Sequence, residues 1–244
     1  MSKGVLRFLL VGALAAALAE GGTRVPEALA AVDAFRIRGV RVEGARFISA
    51  SEALRVAALP VGASVWDASD AWEARLRAHP LVLDARIRRK LPDSLVFELV
   101  ERQPVALVAI PTLEPVDRDG HVLPVDPAEH RLDLPLLRIG AGSDNGAPGA
   151  PGVARIRPLA LEVERLARAE PSFMGLVSEL AWDRGGDAVA LWGDPALTVR
   201  FRPPLAAHRV REAVSVIADA ARRFPDRRLR TVDLRYADQV VVRF

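Results

Sequence analysis

The chain has 244 residues, room for one large domain or two small ones, and its 34 lysines and arginines against 31 aspartates and glutamates leave a formal charge of only +3. Half of it is hydrophobic, which excludes a disordered chain, and the absence of cysteine excludes disulfides and thiol chemistry. The pI near 10.1 reflects an excess of arginine rather than any run of like charge, so nucleic acid is not an expected partner.

The amino-terminal stretch MSKGVLRFLLVGALAAALAEGG sets Lys3 and Arg7 ahead of twelve uncharged residues, Phe8 to Ala19. That is short of the ~20 needed to cross a bilayer. Counting from Val5, with Arg7 reaching back to the headgroups, gives fifteen. The positive flank before the run and Glu20 after it predict the amino end inside and the bulk of the chain exported. Ala17-Leu18-Ala19 also fits a signal-peptide cleavage site. Residues 1–24 are therefore expected to be a transmembrane anchor or a signal-like segment, and a buried alanine-rich helix is the third reading. Residues 25–34 read as a linker.

From Phe35 the pattern runs strand, helix, helix, strand, strand. FRIRGVRVEG is β-rich. Ser49 followed by Glu52 is a capping box that would satisfy two orphan N–H groups at the start of a helix, which Pro60 and Gly62 end. A second short helix carries Trp72 and Leu76, with Asp67 or Ser69 as its cap and Pro80 as its stop. In LVLDARIRR, Leu83, Ala85 and Ile87 alternate with polar residues. After the Pro92-Asp93 turn, Leu95, Phe97 and Leu99 alternate with Val96, Glu98 and Val100. Two helices on one face of a three-stranded mixed sheet make a module over residues 35–104.

Residues 105–244 read as a longer, strand-rich domain. Asp119-Gly120 in PVDRDGHVLPVD is a hairpin signal, LPLLRI is a further strand, and Gly140 to Gly152 is a loop or linker low in apolar bulk. Ile156, Leu159, Val163 and Leu166 recur at helical spacing, with Glu164 and Arg168 paired on the wet side. LVSELAWD, DAVALW and ALTVRF are strands, the first turned into the second at Gly185-Gly186. Val210, Val214, Ile217, Ala221 and Phe224 mark a second amphipathic helix closed by Pro225. The last segment, RTVDLRYADQVVVRF, alternates Val232, Leu234 and Tyr236, turns, and alternates Val240, Val242 and Phe244. Such a pair ends in an exposed edge, which invites pairing with another chain. The fold class is α+β.

Little in the sequence asks for catalysis. His79, His121, His130 and His208 have no metal-ligand spacing, and DRDGH lacks the third acid and the closing glutamate of a calcium loop. There is no G-x-S-x-G and no glycine-rich phosphate cradle. Glu98 and Glu101 fall on opposite faces of a strand, so they do not form a paired-carboxylate site. No metal, no cofactor and no enzyme activity are expected.

The segment HPLVLDARIRRKLPDSLVFELVERQPVALV resembles the end of a POTRA domain of the kind found in the FtsQ/DivIB family of bacterial cell-division proteins. Pro80-Leu81-Val82, Lys90-Leu91-Pro92-Asp93-Ser94-Leu95 and Val100-Glu101-Arg102-Gln103-Pro104-Val105-Ala106 fill the family's positions. VRVEGARFISASEAL is similar to its first strand and helix, VDRDGHVLP to its hairpin, and TVDLRY to its penultimate strand. The resemblance implies a single-pass inner-membrane protein of the division septum, its bulk periplasmic. It implies a non-enzymatic scaffold that holds the coiled-coil proteins FtsB and FtsL and helps recruit septal peptidoglycan synthesis. The POTRA domain would meet other divisome proteins, and the β-domain would take a partner segment along its last strands by β-augmentation. By position, Arg235 and Tyr236 match the family's Arg-Tyr, and Phe244 fills the final aromatic. The implied roles are charge pairing for Arg235 and apolar anchoring for Tyr236 and Phe244. The competing expectation is that Tyr236 and Val242 face the domain core. Gln239 replaces the usual turn glycine, and Arg243 stands where relatives can have a small residue. A POTRA protein of outer-membrane assembly or secretion is the alternative family.

Overall fold

A computed structural model describes residues 29–138 and 151–244, with residues 151–154 given as helical backbone alone. The expected anchor over residues 1–24 lies outside the described residues, as do residues 25–28 of the linker and most of the loop from 140 to 152. Among the described residues, no helix is long and apolar enough to cross a membrane. The chain divides into two compact units, Met1–Arg102 and Gln103–Phe244.

In the first unit a short 3-10 turn at Asp33–Phe35 precedes β1 (Gly39–Glu43), α1 (Ala50–Ala57), α2 (Asp70–Arg77), β2 (Val82–Lys90) and β3 (Ser94–Glu101). This is the strand–helix–helix–strand–strand order of the sequence pattern. β3 is central, parallel to β1 and antiparallel to β2. Leu95, Phe97 and Leu99 are buried, as are Leu76, Trp72, Ala53 and Ala57 of the helices, each large apolar side chain worth about 1.5–3 kcal/mol in transfer. Three local expectations change. Leu83 is 55% exposed, and Val82 is buried in its place, because the β2–β3 register slips between Val82 and Asp84. A one-residue slip exchanges the faces of every residue before it. At α1, Ser49 accepts the Glu52 N–H at 3.1 Å, but the Glu52 carboxylate turns to Arg55 and His79, each at 3.5 Å, so half of the capping box forms. Neither expected cap serves α2: Ser69 holds the N-cap position without accepting a helix N–H, and Asp67 accepts the Ser64 N–H at 2.8 Å.

The loop entering α1 is fixed by Glu101 at the end of β3. Its buried carboxylate accepts the backbone N–H groups of Arg46 (2.8 Å), Phe47 (2.9 Å) and Ile48 (2.8 Å). Gly44, where the chain leaves β1, has φ +79°, and a Cβ there would sit 2.1 Å from the Leu99 carbonyl oxygen. Both the backbone conformation and the space demand glycine.

In the second unit, β4 (Ala106–Ala109) and β5 (Leu113–Val116) form a hairpin. β6 (Leu136–Arg138), α3 (Pro151–Ala169), a four-residue α4 (Pro171–Met174), β7 (Val177–Trp182), β8 (Ala188–Trp192) and β9 (Leu197–Phe201) follow. α5 (Ala207–Arg223), β10 (Thr231–Asp233) and β11 (Val241–Arg243) complete the unit. One mixed sheet runs in the order β11-β10-β9-β8-β7-β6-β4-β5. β9–β10 and β6–β7 are parallel neighbours, each joined through a long helix. Ile156, Leu159, Val163 and Leu166 of α3 are buried, and with Val210 and Ala213 of α5 they share one core with Leu180, Ala190, Val199, Phe201 and Val232 of the sheet. The stripe expected on α5 is rotated: Val210 is buried, whereas Val214 is 39% exposed and Phe224 is exposed as well. The buried positions are instead Arg209, Val210, Ala213 and Ala220.

Candidate functional site

β10 and β11 owe their pairing to alternation. Val232 and Leu234 are buried in the core, Val240 and Val242 pack partly against it, and Val232 faces Val242 in the antiparallel register. β11 pairs with β10 on one side and stands at the edge of the sheet. Among the described residues no strand pairs with its other side, which is the position from which an edge takes on a further strand.

The three residues singled out by resemblance do not form one cluster. Tyr236 lies in the connection between β10 and β11 and is 46% exposed. Phe244 follows β11, so along the chain the two aromatics flank the edge strand, whose three residues span roughly 10 Å at strand rise. Phe244 meets Phe224 edge-on, with ring centroids 5.1 Å apart, and the Arg227 guanidinium lies 5.8–5.9 Å from both rings. This end of the edge is a partly exposed aromatic pair capped by a cation.

Arg235 is engaged within its own domain. Its guanidinium donates to Asp233 at 2.8 and 2.6 Å and to Asp187 at 3.0 Å. The Asp233 and Asp187 hydrogen bonds raise the arginine further above its ordinary value. In return, Arg235 first of all holds the buried Asp233 carboxyl below the usual range, against the opposing effect of burial. Beside them, Asp183 pairs with Arg200 at 3.0 Å and Asp187 with Arg202 at 3.2 Å. Burial pushes Asp183 upward, but N–H donation from Asp187 and Gly185 and the charge of Arg200 outweigh it and leave it lowered. The result is a ladder of alternating charge running from the β7–β8 turn through the β9 segment to β10, which ties the start of the connection to the turn at Gly185-Gly186.

The sequence reading missed Asp187, Asp183 and Arg209. Two aspartates flanking a Gly-Gly turn are a usable signal, because Asp183 also builds that turn by accepting the Gly185 and Asp187 N–H groups at 2.8 and 3.0 Å. Arg209 betrays itself only by standing at i, i+4 and i+11 with Ala213 and Ala220, a cation in an otherwise apolar row.

Elsewhere, Asp117, Asp119 and His121 bring ligand atoms within 4.8 Å of one another. Asp117 spends its carboxylate on the turn: Oδ1 accepts the N–H groups of Asp119 and His121 at 2.9 Å each, and Oδ2 lies 3.2 Å from the His121 ring. With the Gly120 N–H donating to the Asp117 carbonyl at 3.0 Å, this is hairpin-turn chemistry.

Residues 35–102 match the family described as "POTRA domain, FtsQ-type". A cell division protein FtsQ of Syntrophotalea carbinolica is 32% identical over 140 residues, covering 54% of this chain and 50% of the relative. One from Anaeromyxobacter sp. is 35% identical over 106 residues, 43% and 36% of the two chains. One from Rhodothermus marinus is 29% identical over 227 residues, 87% and 79%. The matched region thus spans half or less of the length of the first two relatives. The first unit therefore carries an FtsQ-type POTRA domain, and the chain is similar to cell division proteins FtsQ of several bacteria.

Proposed function

We propose that this protein is a non-enzymatic scaffold of the division machinery, held at the inner membrane by the segment around Phe8–Ala19 with its two units in the periplasm. In this reading residues 35–104 form the POTRA domain that meets other divisome proteins. Residues 105–244 form the β-domain that receives FtsB- and FtsL-like coiled-coil partners and thereby helps recruit septal peptidoglycan synthesis. The observation that carries the reading is the edge strand β11, flanked by exposed Tyr236 on one side and the Phe224–Phe244 pair on the other. Main-chain pairing along β11 would supply affinity, and the two aromatic ends would supply anchoring. Arg235 would act through the Asp187–Arg235–Asp233 bridge, meeting a partner as part of a near-neutral ladder and not as a lone cation.

Calorimetry of residues 25–244 with the host's FtsB-like protein tests this. Binding should be measurable, and the variant carrying Tyr236→Ala and Phe244→Ala, shown folded by circular dichroism, should bind at least about tenfold more weakly, some 1.4 kcal/mol. Full affinity in the folded variant sinks the residue assignment. No binding by the unaltered protein sinks the partner.

A further inference from the structure

We infer that Arg209 is the positioning residue of the docking edge: from α5 it fixes the β10–β11 connection in the conformation that a partner strand meets. The inference rests on the proposed role of β11. Arg209 is only 8% exposed, an expensive location for a permanent charge unless its donors are matched. They are matched. Nη2 donates to the carbonyl oxygens of Tyr236 and Gln239, both at 2.7 Å, and Nη1 bonds the Glu212 carboxylate.

The connection needs this support. Tyr236, Ala237, Asp238 and Gln239 are all exposed. Among the described residues, no backbone–backbone hydrogen bond joins two positions within 235–240. Gln239 stands where the family resemblance leads one to expect a glycine, so the turn does not close by a tight glycine geometry. One guanidinium bridging two carbonyls three residues apart does that work from outside. It clamps both ends of the exposed segment and so sets where Val240, and with it β11, begins. The planar fork suits this task. A lysine at the same point offers one compact ammonium and cannot hold the carbonyls and Glu212 with the same geometry. A docking strand that is already ordered loses less conformational entropy on binding, which is why loosening this clamp should weaken affinity without touching any contact residue.

The test uses residues 25–244 with Arg209→Met and Arg209→Lys, each read in two ways. Native-state amide hydrogen exchange without partner should show residues 237–243 opening about tenfold faster or more in Arg209→Met, with α3 and β7–β8 unchanged and an intermediate effect in Arg209→Lys. Calorimetry with the FtsB-like protein should show affinity falling about tenfold in Arg209→Met and partly restored in Arg209→Lys. If Arg209→Met fails to fold, the lysine variant carries both readouts. Unchanged exchange at 237–243 overturns the inference. Faster exchange with full affinity also overturns it, while the edge reading stands if Tyr236→Ala with Phe244→Ala still weakens binding. Faster exchange in a protein whose unaltered form does not bind removes the docking role and leaves Arg209 as the clamp of the connection.

Discussion

Glu101 accepts three consecutive backbone N–H groups, and among the described residues no other single side chain in the first unit holds so much of a loop. Glu101→Gln keeps the shape but removes the charge and one acceptor oxygen. It should cost about 2–3 kcal/mol in urea denaturation, in the range for hydrogen bonds to a charged group. A loss under half a kcal/mol would mean that the loop is held elsewhere. Gly44→Ala meets both a positive φ and the Leu99 carbonyl, so it should cost at least about 2 kcal/mol. A third residue makes stability depend on pH. Asp233 is held below its ordinary value by Arg235, so its folded form favours the ionised state. Its contribution is therefore fully present above the unfolded carboxyl value of about 3.9 and is lost as pH falls below it. Thermal melts of the unaltered protein should drop more steeply between about pH 4 and pH 2 than those of Asp233→Asn. Parallel curves would refute the assignment.

Helices and strands show where pattern reading succeeds and where it slips. α3 was legible because four apolar residues at helical spacing face one core, and all four are buried. α5 was legible as a helix but not in its rotation. Arg209 and the small Ala213 and Ala220 take core positions, and the bulkier Val214 is left outside, because buried hydrogen bonds to the 236–239 carbonyls outweigh the apolar preference. Val210→Ala should thus cost about 2 kcal/mol, and Val214→Ala should stay within about 0.5 kcal/mol. Equal costs would contradict the rotation. β2 fails in the same informative way: alternation predicts which residues share a face only until a bulge intervenes, and nothing in LVLDARIRR announces the slip at Val82. The four-residue β4 and β5 are too short, and too interrupted by Pro111 and Pro115, to register as a hairpin in a pattern of period two. At the candidate site, motif position pointed to Arg235 and Tyr236, but the aspartates that occupy Arg235 come from a turn 48 residues away and from β10 itself, a pairing that only the sheet order brings about.

Across the whole molecule, basic charge is carried almost entirely by arginine: Lys3 and Lys90 are the only lysines in the sequence, and Lys90 ends β2. Arginines suit a protein built on bridging, because Arg209, Arg235 and Arg165 each satisfy more than one acceptor. The choice also has a consequence for any attempt to map this protein's neighbours. Gln103–Phe244 contains no primary side-chain amine, so lysine-directed cross-linkers, biotinylation reagents and amine-reactive dyes leave that unit blank. A proximity map built on such chemistry would report the β2 edge and stay silent about the β11 edge, whatever is bound there. The same blankness is useful: one lysine placed on an exposed site such as Asp238 would be a unique reporter on the connection, readable by mass spectrometry without a background of other amines from its own domain.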